Sequence, residues 1–149
     1  MPKFSTICCD ASFVVNWVTK PRTYAITATL NSWLHEERPL VAPTLLYYEA
    51  ANALHKQRRA GVLTDAEIHF SMNSALSLPI HLVGDRELHL AALSIAGRFN
   101  LAASYDAHYL ALAERTEAEF WTADRRLYNS VRHHLQWVNY VDPSERIGS

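Results

Sequence analysis

Five short β-like runs recur along the 149-residue chain, and helical segments separate each from the next. The runs are "KFSTICC", "RPLVAP", "PIHLV", "AEFWTAD" and "LQWVNYV". Strands joined through helices cannot pair as tight hairpins. They pair in parallel, through right-handed crossovers that lay helices on both faces of the sheet. This alternation predicts an α/β fold, a three-layer α/β/α sandwich around a mainly parallel sheet of about five strands.

Local signals mark the helices. One helical segment is predicted from about Pro21 to Glu37, and a second from Pro43 to Ala60, with Leu46, Ala50, Ala53 and Leu54 on one face. Gly61 is placed to end that second helix. Thr64 opens another, with Glu67 completing a Thr-x-x-Glu capping box. Asp85 is the expected cap of a helix running to Arg98, and Ser104 of one carrying "YDAHYLALAER". "RRLYNSVRHH" reads as a short last helix.

With 49% hydrophobic residues, four glycines, six prolines and no Gly/Ser/Pro-rich tract, residues 1–149 are expected to form one domain. No apolar run approaches the ~20 residues needed to span a bilayer. "MPKFSTICCD" is too weakly apolar for a secretory signal, so a cytoplasmic protein is expected. Cys8 and Cys9 are strand neighbours pointing to opposite faces. They are expected to be buried thiols, not a disulfide.

A net charge of −1 does not advertise nucleic-acid binding. The basic residues are mostly arginine, however, and bunch as Arg58-Arg59 and Arg125-Arg126. Either pair could equally be a solvated helix face.

The acids carry the chemistry. In open α/β sheets, ligands bind beyond the carboxyl ends of the strands, near a switch in strand order. Asp10 ends the first strand and Asp124 the fourth. Glu49 borders the apolar face of "LLYYEAANAL", and Asp106 lies in the first turn of its helix. Each has a structural reading: Asp10 and Asp124 as helix caps, Asp106 at the positive end of its helix, Glu49 paired with an arginine. Together, with no lysine nearby in sequence, they would repel unless a cation joined them. Hard oxygen ligands suit Mg²⁺ or Mn²⁺, and such an ion can lower the pKa of a water that attacks a phosphodiester.

"CCDASFVVNWV", "APTLLYYEAANALHK", "LAASYDAHYLALAER" and "EFWTADRRL" resemble, in this order, the four motif regions of PIN-domain nucleases. The subgroup most resembled is the VapC-type toxins of toxin–antitoxin pairs. The resemblance runs from about Thr6 to Val141. It implies a metal-dependent endoribonuclease in which Asp10, Glu49, Asp106 and Asp124 form a catalytic quartet around Mg²⁺ or Mn²⁺. Asp10 and Asp106 would bind the metal directly, Glu49 and Asp124 directly or through water. Ser12, Thr122 and Asn16 match supporting polar positions, and Arg125, Arg126 and His108 are the RNA-contact candidates. The resemblance also implies a VapB-like antitoxin partner and a homodimer. "TYAITATLNSWL" and "AEIHFSMNSALSL" offer apolar surface for a dimer, or for covering their own core.

Two other function classes compete. A PIN-like module could bind RNA or protein without cutting, against which stands the presence of all four acids. A haloacid-dehalogenase-type phosphatase would want a second Asp where Ser12 stands. The eight histidines include no His-x-x-x-His pair, which argues against zinc, and there is no Gly-rich phosphate loop.

Overall fold

The computed structural model describes residues 5–148. Five strands, β1 (Ile7–Cys9), β2 (Leu40–Pro43), β3 (Ile80–Val83), β4 (Glu119–Thr122) and β5 (Val138–Tyr140), form one all-parallel sheet in the order β3-β2-β1-β4-β5. Seven helices flank it: α1 (Ala11–Thr19), α2 (Ala25–His35), α3 (Leu46–Arg59), α4 (Asp65–Leu76), α5 (Arg86–Arg98), α6 (Ser104–Thr116) and α7 (Arg125–Val131). The expected α/β/α class is present. Residues 3 and 4 of "KFSTICC", like the start of the amino-terminal segment read for a secretory signal, lie outside the described residues.

The layers follow from crossover hand. The chain steps outward from β1 through β2 to β3, then returns to the other side of β1 to make β4 and β5. Right-handed connections therefore put α1–α4 on one face and α5–α7 on the other. The packing agrees: α1 meets α2, α3 and α4, whereas α5 packs on α6 and α6 lies against β1, β2 and β4. The strand order switches between β1 and β4, and that is where a crevice opens in such sheets.

Several helix boundaries differ from the sequence expectation, each for a local reason. The segment before β2 holds two helices. Lys20, preceding Pro21, is held extended (φ −105°, ψ 147°), because the proline ring disfavours a helical residue before it. Pro43 belongs to β2, paired with Val83, so α3 begins only at Leu46. Ser104 is the first residue of α6 and does not cap it; the cap position falls on Ala103. The capping box of Thr64 and Glu67 forms with both of its bonds, at 3.2 and 3.0 Å, and Asp85 caps α5 through the Leu88 N–H at 2.8 Å. Gly61 follows α3 at φ +75°, a conformation that favours glycine.

β1 is buried on both faces, as a central parallel strand must be, and Cys8 and Cys9 are buried free thiols. Burial pushes both thiols up, so they act as small hydrophobes. Phe13, Trp33 and Trp121 make an aromatic cluster, with Phe13 stacked on Trp33 at 5.1 Å and Trp121 set edge-on at 5.5 Å from Trp33. Helix α2 turns Ile26, Leu30 and Trp33 inward, so most of its apolar face covers its own core. Helix α4 buries Ile68 and Ala75 but leaves Phe70 and Leu76 exposed. No helix among the described residues is long and apolar enough to cross a membrane.

Candidate active site

Asp10 and Asp124 stand at the carboxyl ends of the neighbouring strands β1 and β4, on either side of the switch point. The loops carrying them are tied by hydroxyls. Ser12 donates to Asp10 Oδ1 at 2.6 Å, and its oxygen accepts the Ala123 N–H at 3.0 Å. Thr122 donates to Asp10 Oδ2 at 2.5 Å and accepts the Asp124 N–H at 3.0 Å. Each hydroxyl has one proton, and both are given to Asp10. The 3.3 Å approach of Ser12 to Thr122 is therefore a contact only.

Asp10 Oδ1 also accepts the Phe13 N–H at 3.1 Å, so Asp10 does cap α1. An ionised carboxylate has about four acceptor positions. Ser12, Phe13 and Thr122 use three, leaving one on Oδ2. At 5% exposure, Asp10 is pushed up to about 7. Burial is the main cause, the three hydrogen bonds oppose it, and the charge of Asp106 adds to it.

The other acids come from different elements, and Asp106 and Glu49 each feel the charge of another. Asp106, in the first turn of α6, is held above the usual carboxylate range by burial and by the charge of Asp124. Glu49, in the first turn of α3, is likewise raised by burial and by Asp106. The Tyr109 hydroxyl donates to Glu49 Oε1 at 2.7 Å and offsets part of that rise. Burial and Glu49 in turn push the Tyr109 phenol well up. Asp124 is exposed, and its Oδ1 accepts the N–H groups of Arg126 and Leu127 as the cap of α7.

The donor set is all oxygen: four carboxylates with two hydroxyls behind Asp10. That chemistry fits a hard divalent cation such as Mg²⁺ or Mn²⁺, not zinc. Among the described residues, no three ligand-bearing side chains stand close enough to close around an ion.

A family model described as "PIN domain" matches residues 7–132. The chain belongs to the PIN-domain family. Among solved structures, this PIN domain is similar to PAE2754 from Pyrobaculum aerophilum, at 26% identity and a TM-score of 0.66, over 87% of this chain and 89% of that one. It also resembles, in fold, a chain of a toxin–antitoxin complex from Klebsiella pneumoniae, at 13% identity and a TM-score of 0.58, over 93% of this chain and 98% of that one. None of the curated proteins compared matches significantly.

The remaining sequence candidates scatter around the PIN domain's acidic edge. Asn16 gives its amide N–H to Ser12 O at 2.8 Å, bracing α1. Arg125 lies 3.8 Å from Asp142 and over the Tyr140 ring, while Arg126 is exposed. His108 is directed to α5, where its Nε2 meets His89 Nδ1 at 2.9 Å. Tyr109 was missed by reading acids alone. Its position three residues after Asp106 puts it on the same helical face, which was a usable signal. The partnership of His89 with His108 left no signal, because 19 residues and a loop separate them.

Proposed function

We propose that this PIN domain, taken as one domain over residues 1–149, is a divalent-metal-dependent endoribonuclease and the VapC-like toxin of a toxin–antitoxin pair. The observation that carries the reading is Asp10: a buried carboxylate at the switch point, oriented by Ser12 and Thr122, in the field of Asp106. A structural carboxylate would gain from an arginine or lysine partner. Asp10 is instead surrounded by hydroxyls, one backbone N–H and another acid.

Asp10 and Asp106 would hold Mg²⁺ or Mn²⁺, with Glu49 and Asp124 completing the set. The ion would neutralise the carboxylates, lower the pKa of water and stabilise charge developing on a phosphodiester. The chain's own residues do the orienting. Ser12 and Thr122 fix the plane of the Asp10 carboxylate, and Tyr109 fixes Glu49. Arg125 and Arg126, in the first turn of α7, sit beside Asp124 where they can meet RNA phosphates.

The fold shared with a chain of a toxin–antitoxin complex supports a small VapB-like antitoxin as partner. The exposed Phe70 and Leu76 on α4 give apolar surface to a second copy, in keeping with a homodimer acting in the cytoplasm. The deciding experiment is cleavage of a mixed RNA pool with Mg²⁺, Mn²⁺ or EDTA, by wild type and by Asp10→Ala. Metal-dependent cutting lost in the variant supports the reading. Folded, partner-free protein that binds RNA without cutting it would replace the nuclease with a binding module.

A further inference from the structure

Beside the acidic site lies a pocket of about 270 Å³, walled by the carboxyl ends of β2 and β3 and by α5 and α6. We infer that it holds one nucleobase of a single-stranded RNA, stacked on Tyr105 and hydrogen-bonded to His89. This rests on the ribonuclease reading for its substrate and deepens it by naming a base-reading subsite.

Position comes first. The pocket opens at the same sheet edge as Asp10 and Asp124, one strand over. Two of its walls continue into the acidic site. Leu45 lines the pocket, and its carbonyl accepts the Glu49 N–H at 3.0 Å one helical turn later. On α6, Tyr105 and His108 face the pocket while Asp106 and Tyr109 occupy the adjoining helical face. A chain whose phosphate lay at the carboxylates would carry a neighbouring base to this opening.

Shape and chemistry agree. The volume is below the ~300–1,000 Å³ usual for a drug-sized ligand and suits a single ring system. Leu45, Val83 and Leu88 make an apolar floor, and Tyr105, 62% exposed, presents a ring at the mouth. Exposed aromatics beside a backbone-binding site are the stacking platforms of single-strand recognition. The wall is close-fitting. A Cβ on Gly84 would come within 2.8 Å of the Thr44 side chain, so any larger residue there must displace Thr44.

With both rings taken as neutral imidazoles, the two histidines have one consistent tautomer. His108 Nδ1 is 2.7 Å from the Ser104 carbonyl, which can only accept, so His108 Nδ1 carries the proton. Its Nε2 then accepts from His89 Nδ1–H, at 2.9 Å. This leaves His89 Nε2 as an acceptor, matched to the amino or imino N–H groups of a base edge.

The test uses full-length Asp10→Asn protein and short fluorescein-labelled oligoribonucleotides, each lacking the base at one successive position. Dissociation constants are read by fluorescence anisotropy. The expected result is one position where loss of the base weakens binding about 5- to 100-fold. Adding Tyr105→Ala should erase that position-specific penalty, and adding Gly84→Ala should reduce it by displacing the Thr44 side chain that lines the pocket. A penalty equal in all three proteins, or none at any position, overturns the proposal and leaves the pocket to a side chain of a protein partner. Cleavage is not read, so failure of wild-type protein to cut RNA would sink the nuclease proposal without touching this result.

Discussion

The Thr122 hydroxyl donates to Asp10 Oδ2 at 2.5 Å across 112 residues of chain, joining the first strand's end to the fourth's. This bond favours the ionised form of Asp10, against the burial that disfavours it. Thr122→Val keeps the shape and removes the donor. It should destabilise the protein by about 1–3 kcal/mol at pH 8 and by less at pH 5.5, where Asp10 is protonated. Urea unfolding at the two pH values measures the difference.

Asp10 itself sets a wider pH dependence. Its folded value, about 7, lies above its unfolded value near 4, so the native state binds this proton more tightly. The stabilisation is full below pH ~4 and is lost as pH rises through ~7, by about 4 kcal/mol as an upper limit. Metal-free wild type should therefore lose unfolding free energy between pH 5 and pH 8. In Asp10→Asn most of that slope should vanish. An unchanged slope would mean that other groups set it.

A divalent cation acts on the same balance from the other side. Adding Mg²⁺ or Mn²⁺ at pH 8 should raise the melting temperature of wild type, and the rise should shrink toward pH 5 as protons compete. Asp10→Ala and Asp106→Asn should lose the thermal shift, and cleavage should fall by about 10³-fold or more. Differential scanning fluorimetry with and without EDTA separates metal binding from turnover. A shift that survives both substitutions would place the ion elsewhere.

Tyr109 orients Glu49 from a buried position behind it. Tyr109→Phe removes the hydroxyl and should cost about 1–2 kcal/mol of stability. It should also raise the Glu49 pKa further, moving the acidic limb of metal binding to higher pH. A titration of Mn²⁺ affinity against pH would show the limb displaced. An unmoved limb would leave Glu49 outside the metal site.

Much of the architecture was legible in the residues. Alternating β-like and helical runs led to a parallel sheet because strands linked through helices have few other ways to pair. Thr64, Glu67, Asp85 and Gly61 were readable because caps act within one turn of chain. Helix α1 was legible only as the helix that Asp10 could cap, with no far end. Its run "ASFVVNWV" carries β-branched residues next to a strand, and the break at Lys20 comes from the proline after it. Ser104 was misplaced by one position because Ala103, with no polar group to signal it, takes the cap.

The candidate site divides along the same line. Sequence alone determined which acids lie at element ends or core borders, since their local apolar context marks Asp10, Glu49, Asp106 and Asp124. Only the tertiary structure decided what each side chain does there. It joined Ser12 and Thr122 on Asp10, set Tyr109 behind Glu49, and turned His108 away to His89. Local patterns report the fold of one segment at a time. A buried charge is shaped by whatever the sheet's crossovers bring against it, and that depends on strand order, which no short stretch of sequence contains.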